Sequence, residues 1–238
     1  MKYKELAEFY EEASATPKRL EKTSILAKFL KKIAGSSTES DKDILYLLLG
    51  DIYPEYDERK IGISTQLAIK AISKATGVSE NSVLHEWKTI GDLGEVAKKL
   101  KSKHKQTTLH SNVLTTEKVL ENLRKLPELE GKGTVEKKLG LITELLTSAS
   151  PIEAMYIVRT LLADLRIGLK ESTVRDAMAV AFFSGQKNAA KKIQDAIDKS
   201  NDLASVFEIV KDGKIDELEK IHLEIGKPIK AMLAQKVK

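Results

Sequence analysis

The chain has 238 residues, no cysteine, one tryptophan and a formal net charge of +5, from 40 Lys and Arg against 35 Asp and Glu. The composition excludes disulfides and cysteine-type zinc or redox sites, and no apolar run approaches the ~20 residues a membrane-spanning helix needs. The basic excess is modest and raises nucleic acid as a partner without establishing it.

Helical period dominates from the start. Met1-Lys2-Tyr3-Lys4-Glu5 is followed by no apolar region, so it is not a signal peptide, and the cytoplasm is the expected compartment. Tyr3, Leu6, Ala7 and Tyr10 form one apolar stripe, and Leu20, Leu26, Phe29, Leu30 and Ile33 form a second that ends near Gly35. Asp41 is placed to cap a third helix containing Ile44, Leu45, Leu48 and Leu49, which breaks at Gly50-Asp51-Ile52-Tyr53-Pro54. Ser64 is a good N-cap for a helix over Thr65–Thr76, with Leu67, Ala68, Ala71, Ile72 and Ala75 on one face and Gly77 as its stop. Ser79 starts the next helix, and Leu93–Leu100 follows.

Lys101–Thr115 is polar and basic without sustained period, and the boundary between two halves is placed there. Thr116–Leu126 opens the second half, then a Pro-Glu-Leu-Glu-Gly-Lys-Gly loop and a helix over Val135–Leu146. Ser150-Pro151-Ile152-Glu153 is the strongest cap signal in the chain, with serine at N-cap, proline at N1 and glutamate at N3. It predicts a helix over Pro151–Ala163, followed by helices over Thr173–Phe183, Asn188–Ser200, Asp202–Lys211 and Ile215–Ile221. No segment alternates like a strand with hairpin chemistry. The expected class is all-α, with roughly twelve helices.

The chain also repeats itself. Ser40, Tyr46 and Asp92-Leu93 recur 110 residues later as Ser150, Tyr156 and Asp202-Leu203. Lys60-Ile61-Gly62-Ile63 recurs as Arg166-Ile167-Gly168-Leu169 at an offset of 106, so the first copy carries four extra residues, placed in the Gly50–Glu58 loop. A period this long is not a short solenoid repeat. It predicts two similar halves, about 1–105 and 115–225, related by a pseudo-two-fold axis within a single domain spanning 1–238.

The two Ile-Gly steps are the positive chemical signal. Glycine permits positive φ or close approach of backbone to a phosphate. Each step precedes a helix start rich in hydroxyls, Ser64-Thr65 and Ser172-Thr173, where free N–H groups favour an anion. Arg59, Lys60, Arg166, Lys170 and Arg175 supply charge. The pattern suits binding to a nucleic-acid backbone without regard to sequence. A tight helix–helix turn explains the glycines equally well and stays open. Gly131-Lys132-Gly133-Thr134, before Lys137 and Lys138, is a third glycine loop opening a basic helix, and alone it reads as a linker. Four histidines without a His-x-x-x-His pair offer no metal site. There is no Walker loop, no Gly-x-Gly-x-x-Gly and no Gly-x-Ser-x-Gly, and nothing assembles a nucleophile, base and oxyanion site.

Arg159–Val174, reading Arg-Thr-Leu-Leu-Ala-Asp-Leu-Arg-Ile-Gly-Leu-Lys-Glu-Ser-Thr-Val, resembles the signature of the N-terminal DNA-binding domain of ATP-dependent DNA ligases, in their archaeal and eukaryotic replicative branch. Lys60–Ser64 resembles the first-half loop of that domain, Gly131–Lys138 its Gly-x-Gly-Thr-x-x-Lys-Lys segment, and Pro228–Ala234 its linker to an adenylation domain. The resemblance covers the whole chain.

It implies a non-catalytic module that binds nicked duplex DNA through the minor groove and phosphates on both strands. The implied contacts are Arg59, Lys60, Ile61, Gly62, Ile63, Ser64, Thr65, Gly133, Thr134, Lys137, Arg166, Gly168, Leu169, Lys170, Ser172, Thr173 and Arg175. ATP and a divalent metal are implied for the parent enzyme and neither for this chain, because the nucleophile of the family lies in a Lys-x-Asp-Gly motif after the linker. Lys211-Asp212-Gly213 lacks the spacer residue and reads as a turn. The chain is thus expected to be a ligase fragment, with residues 226–238 leading toward a missing adenylation domain and an abrupt end that favours a cut made in cloning. The other implied partners are the catalytic domains of the same ligase and a sliding clamp, met through Gln106 and Leu109, although His110 and Ser111 stand where an aromatic pair is expected. In an archaeal cell the protein would be associated with the nucleoid. The rival expectation is a helical protein-interaction scaffold, clamp docking included, with no direct DNA role.

Overall fold

A computed structural model describes residues 1–35, 41–103 and 113–223. The expected all-α class holds. The helices of the first part are α1 (Tyr3–Ser14), α2 (Arg19–Ala34), α3 (Asp41–Leu49), α4 (Thr65–Thr76), α5 (Glu80–Ile90) and α6 (Leu93–Lys103). Those of the second are α7 (Thr116–Glu128), α8 (Thr134–Ser148), α9 (Pro151–Leu161), α10 (Glu171–Phe182), α11 (Ala189–Ser200) and α12 (Leu203–Lys211), then a 3₁₀ turn over Ile215–Lys220. Among the described residues there is no strand, only a single bridge between Lys2 and Thr115.

Local chemistry sets most of the boundaries. Ser64 and Ser79 cap α4 and α5 by accepting the amides of Leu67 and Ser82, and Gly77 and Gly91 end these helices at φ +73° and +77°. The Ser150 amide donates to the Glu153 carboxylate at 2.7 Å, as the cap signal predicts. Three expectations shift. Helix α9 stops at Leu161 rather than Ala163, because Ala163 turns left-handed at φ +53°. Helix α10 begins at Glu171 with Lys170 at the cap, which puts Ser172 and Thr173 inside its first turn. Leu20, read as part of a buried stripe, is 84% exposed.

The helices group into two compact units that do not follow chain order. Among the described residues, one comprises 1–16, 50–52, 59–103 and 113–168, and the other 17–35, 41–49, 53–58 and 169–223. In the first, α4, α5 and α6 pack with α8 and α9, beside α1 and α7. In the second, α10, α11 and α12 pack with α2 and α3. The run of three helices after each Ile-Gly step therefore takes its partner helices from the other copy of the repeat. The first core centres on Tyr3, Tyr10 and Tyr156, with the rings of Tyr10 and Tyr156 4.8 Å apart. The Tyr156 hydroxyl is pushed up to about 12, by burial first and then by the Glu11 carboxylate that accepts its hydrogen bond. In the second unit Phe182 meets Phe207 edge-on at 5.9 Å.

Candidate nucleic-acid interface

The first unit holds a cavity of about 530 Å³ lined by residues from both copies of the repeat. Ile63, Ser64 and Thr65 come from the first Ile-Gly run, while Arg159, Leu162, Asp164 and Arg166 come from α9 and the second run. Trp87, Gly91, Asp92, Leu93 and Gly94, around the α5–α6 corner, complete the wall.

Asp92 organises this corner. Its Oδ1 accepts the amides of Gly94 and Glu95 at 2.7 and 3.2 Å, capping α6. Its Oδ2 accepts Arg159 Nη2 at 2.8 Å and Nε at 3.2 Å. Both side chains of this pair are about nine-tenths buried. Burial pushes the Asp92 carboxyl up, but the Arg159 hydrogen bond and charge, the Glu95 amide and Arg166 outweigh it and hold the group below the usual carboxylate range. The Arg159 guanidinium also lies 5.3 Å from the Tyr156 ring centroid. Helix α6 runs so close to α9 that a Cβ on Gly94 would stand 2.8 Å from both Arg159 Cγ and the Met155 carbonyl.

Arg166 lies at the cavity on a left-handed backbone, φ +57°. Its Nε donates to Asp164 Oδ2 at 2.7 Å, and Nη1 lies 3.4 Å from Asp92 Oδ2. The start of α4 lines the same cavity. That helix has no acidic residue in its first turn, whereas α8 carries Glu136 and α10 carries Glu171 there. The positive end of the α4 dipole is thus uncompensated by its own sequence. The Ser64 oxygen accepts the Leu67 amide, which leaves its hydroxyl proton available to an anion.

The remaining expected contacts are dispersed. Gly62 and Gly168 are exposed and left-handed, at φ +59° and +64°. Lys60 is exposed, and Arg59 lies 3.6 Å from Glu128. Ile61 is half-buried, but Ile63 is buried and anchors the loop. Gly133 caps α8 at φ +81°, Lys137 is exposed, and the Thr134 hydroxyl donates to the Gly131 carbonyl at 2.6 Å. This loop is not at the cavity: Lys74, late in α4, pairs with Glu136 at the start of α8. The ten residues from Ser64 to Lys74 put the two loops roughly 15 Å apart along α4.

In the second unit Lys170 is exposed, and Leu169 and Ser172 are half-buried. Thr173 is only 5% exposed. Arg175 is engaged by its own unit, donating to Asp176 Oδ1 and to Gln194 Oε1 at 2.8 Å. Gln106, Leu109 and the 226–238 stretch lie outside the described residues. Trp87, Asp92, Arg159 and Asp164 line the site without standing out as site residues in the sequence. Asp92 was visible as part of the repeat, and Asp164 sits two residues before Arg166. No local signal marks Trp87.

The family model described as DNA ligase N terminus matches residues 2–179. The chain belongs to that family. It is 42% identical over 234 residues to a DNA ligase of Methanosphaera stadtmanae, covering 98% of this chain and 41% of that protein. It is 38% identical over 235 residues to a DNA ligase of Thermococcus onnurineus, covering 99% and 41%. A DNA ligase of Nitrosopumilus maritimus is 37% identical over 238 residues, covering 100% and 40%. The chain thus spans about two fifths of the length of these relatives. The motifs quoted from Lys60–Ser64, Gly131–Lys138 and Arg159–Val174 all fall within the residues matched by the family model. No helix among the described residues is long and apolar enough to cross a membrane.

Proposed function

We propose that this ligase N-terminal chain, acting as one domain, is a non-catalytic DNA clamp. It would grip duplex DNA at nicks through phosphates and the minor groove during replication, repair and recombination. The observation that carries the reading is the meeting of Arg166 with the uncapped-by-acid start of α4 at one cavity. A guanidinium, a hydroxyl and the free amides of a helix N-terminus are donors suited to a phosphate oxygen. None of them reads a base, so affinity would depend on salt and not on sequence. Exposed left-handed Gly62 and Gly168 beside basic residues would let the backbone approach the sugar–phosphate chain closely.

In this reading joining belongs to the parent enzyme. ATP and a divalent metal would act in its catalytic domains, which would close on the DNA that this domain holds. The protein would work where the chromosome is, in the cytoplasm at the nucleoid of an archaeal cell. A sliding clamp would be met through Gln106 and Leu109.

The test is fluorescence anisotropy of labelled nicked, intact and single-stranded DNA across a salt series. Salt-steep binding with preference for duplex over single strand is expected. Absence of duplex binding at low salt would move the assignment to a protein-interaction scaffold.

A further inference from the structure

We propose that Asp164 is a built-in counter-ion that Arg166 must exchange for a DNA phosphate, so that this one carboxylate tempers the grip and hastens release. The inference rests on the DNA-binding reading and names a residue that tunes it.

Two carboxylates face Arg166, and they differ in kind. Asp92 is about nine-tenths buried, caps α6 and is neutralised by Arg159. Its 3.4 Å approach to Arg166 Nη1 helps aim the guanidinium, and Asp92 is not free to leave without reducing buried Arg159 to its 3.3 Å contact with Glu95. Asp164 is about half-exposed, and its one ion pair among the described residues is the 2.7 Å contact with Arg166 Nε. An exposed pair of this kind contributes little and is given up easily. A phosphate, by contrast, accepts charge-assisted and commonly bidentate hydrogen bonds from arginine.

The backbone holds the pair together. Ala163 and Arg166 bracket the turn in left-handed conformations, φ +53° and +57°, which are uncommon for residues other than glycine. The turn places the Asp164 carboxylate within hydrogen-bond distance of the same guanidinium that a phosphate at the α4 start would approach. A phosphate held there would meet the Asp164 charge at short range. Binding therefore requires Asp164 to swing into solvent, and dissociation lets it return. The arrangement suits a protein that must let go of its product.

Asp164→Asn separates charge from position, because an amide oxygen can still accept from Arg166 Nε. We expect the variant to bind nicked duplex about 3- to 10-fold more tightly at low salt, with slower dissociation and a salt slope steeper by up to about one unit. In an Arg166→Ala background the same substitution should give less than half that gain. Unchanged or weaker binding by Asp164→Asn would overturn the counter-ion role and assign Asp164 to positioning alone. An equal gain in both backgrounds would overturn it too, leaving a general surface charge. Failure of the wild-type chain to bind duplex is a separate result, which overturns the DNA-binding reading and this inference with it.

Discussion

Asp92 and Asp202, 110 residues apart, cap α6 and α12 through the same pair of backbone amides, those two and three residues ahead. Asp92 Oδ1 accepts Gly94 and Glu95 at 2.7 and 3.2 Å. Asp202 Oδ1 accepts Ala204 and Ser205, both at 3.1 Å. They diverge in their other partners. Asp92 holds a buried arginine, whereas Asp202 accepts the hydroxyls of Tyr46 and Ser205. Loss of Asp202 removes a cap and two hydrogen bonds from uncharged hydroxyls but strands no charge, so Asp202→Ala should cost about 1–2 kcal/mol. Asp92→Ala also takes the main partner from buried Arg159, leaving it the 3.3 Å contact with Glu95, and should cost about 3–4 kcal/mol. Urea unfolding of both variants beside wild type checks the order, and an equal loss would mean that Glu95 or water is partner enough for Arg159.

The same carboxylate predicts a pH dependence. The folded state holds Asp92 below the usual carboxylate range. Its contribution is therefore fully present above the unfolded value of about 4 and drains as the pH falls through the lower folded value. Asp92→Asn keeps a capping oxygen but has no charge to lose. Between about pH 5 and pH 2 its stability should fall less steeply than that of wild type, with the difference between them shrinking toward the acid end. Parallel curves would place the linkage on other carboxylates.

Gly94 lets α6 and α9 pack closely. An added Cβ would lie 2.8 Å from a backbone carbonyl, Met155 O, which cannot move without shifting α9. The matching residue of α12 is Ala204, so a methyl group is accommodated at the equivalent place in the other unit. Gly94→Ala should cost about 1–3 kcal/mol despite its better helix propensity. Thermal melts of Gly94→Ala and, as a control, of exposed Gly140→Ala on α8 give the comparison. The control has open space at its Cβ and should gain a few tenths of a kcal/mol or more.

What the sequence discloses and what it withholds divide along the range of the interaction. Ser64, Ser79 and Glu153 announce helix starts because their partners lie three residues away. The end of α9 is not legible, because Ala163 is left-handed without being glycine and nothing local betrays it. Leu20 fits the apolar period of α2, yet it sits at the helix start beyond the packed face and is exposed. The exchange of partner helices between the two copies is a matter of contacts far apart in the chain, and periodicity carries no trace of it. The Asp92–Arg159 pair spans 67 residues and was hidden for the same reason. Arg166 was legible as a basic residue beside a glycine, but its two carboxylate partners were not, and they decide how strongly it can act.

Lys60 and Arg166 should differ as DNA contacts. Each alanine substitution should weaken duplex binding at low salt regardless of sequence and flatten the salt slope by roughly one unit. Lys60 is an exposed ammonium, and removing it leaves nothing behind. Arg166 can give a phosphate two hydrogen bonds from the cavity it shares with the α4 start, so Arg166→Ala should lose more affinity than Lys60→Ala. Anisotropy on one nicked duplex, with an unrelated sequence as control, ranks the two. If neither affinity nor slope changes, these residues do not touch the backbone.

Gly62 offers a way to separate the two explanations of an Ile-Gly step. Its φ of +59° costs an alanine about 1–2 kcal/mol, although a Cβ there would meet nothing nearer than the Lys60 carbonyl at 3.7 Å. Asparagine tolerates the left-handed region better than alanine does, so Gly62→Asn should recover much of the stability that Gly62→Ala loses. If glycine serves only the turn, DNA affinity should follow stability, and the asparagine variant should bind almost like wild type. If the bare backbone must approach a phosphate, both side chains hold the DNA away, and both variants should bind at least several-fold more weakly whatever their stability. We expect the second pattern. Near-normal binding by a folded Gly62→Asn variant would reduce this loop to a helix–helix connection.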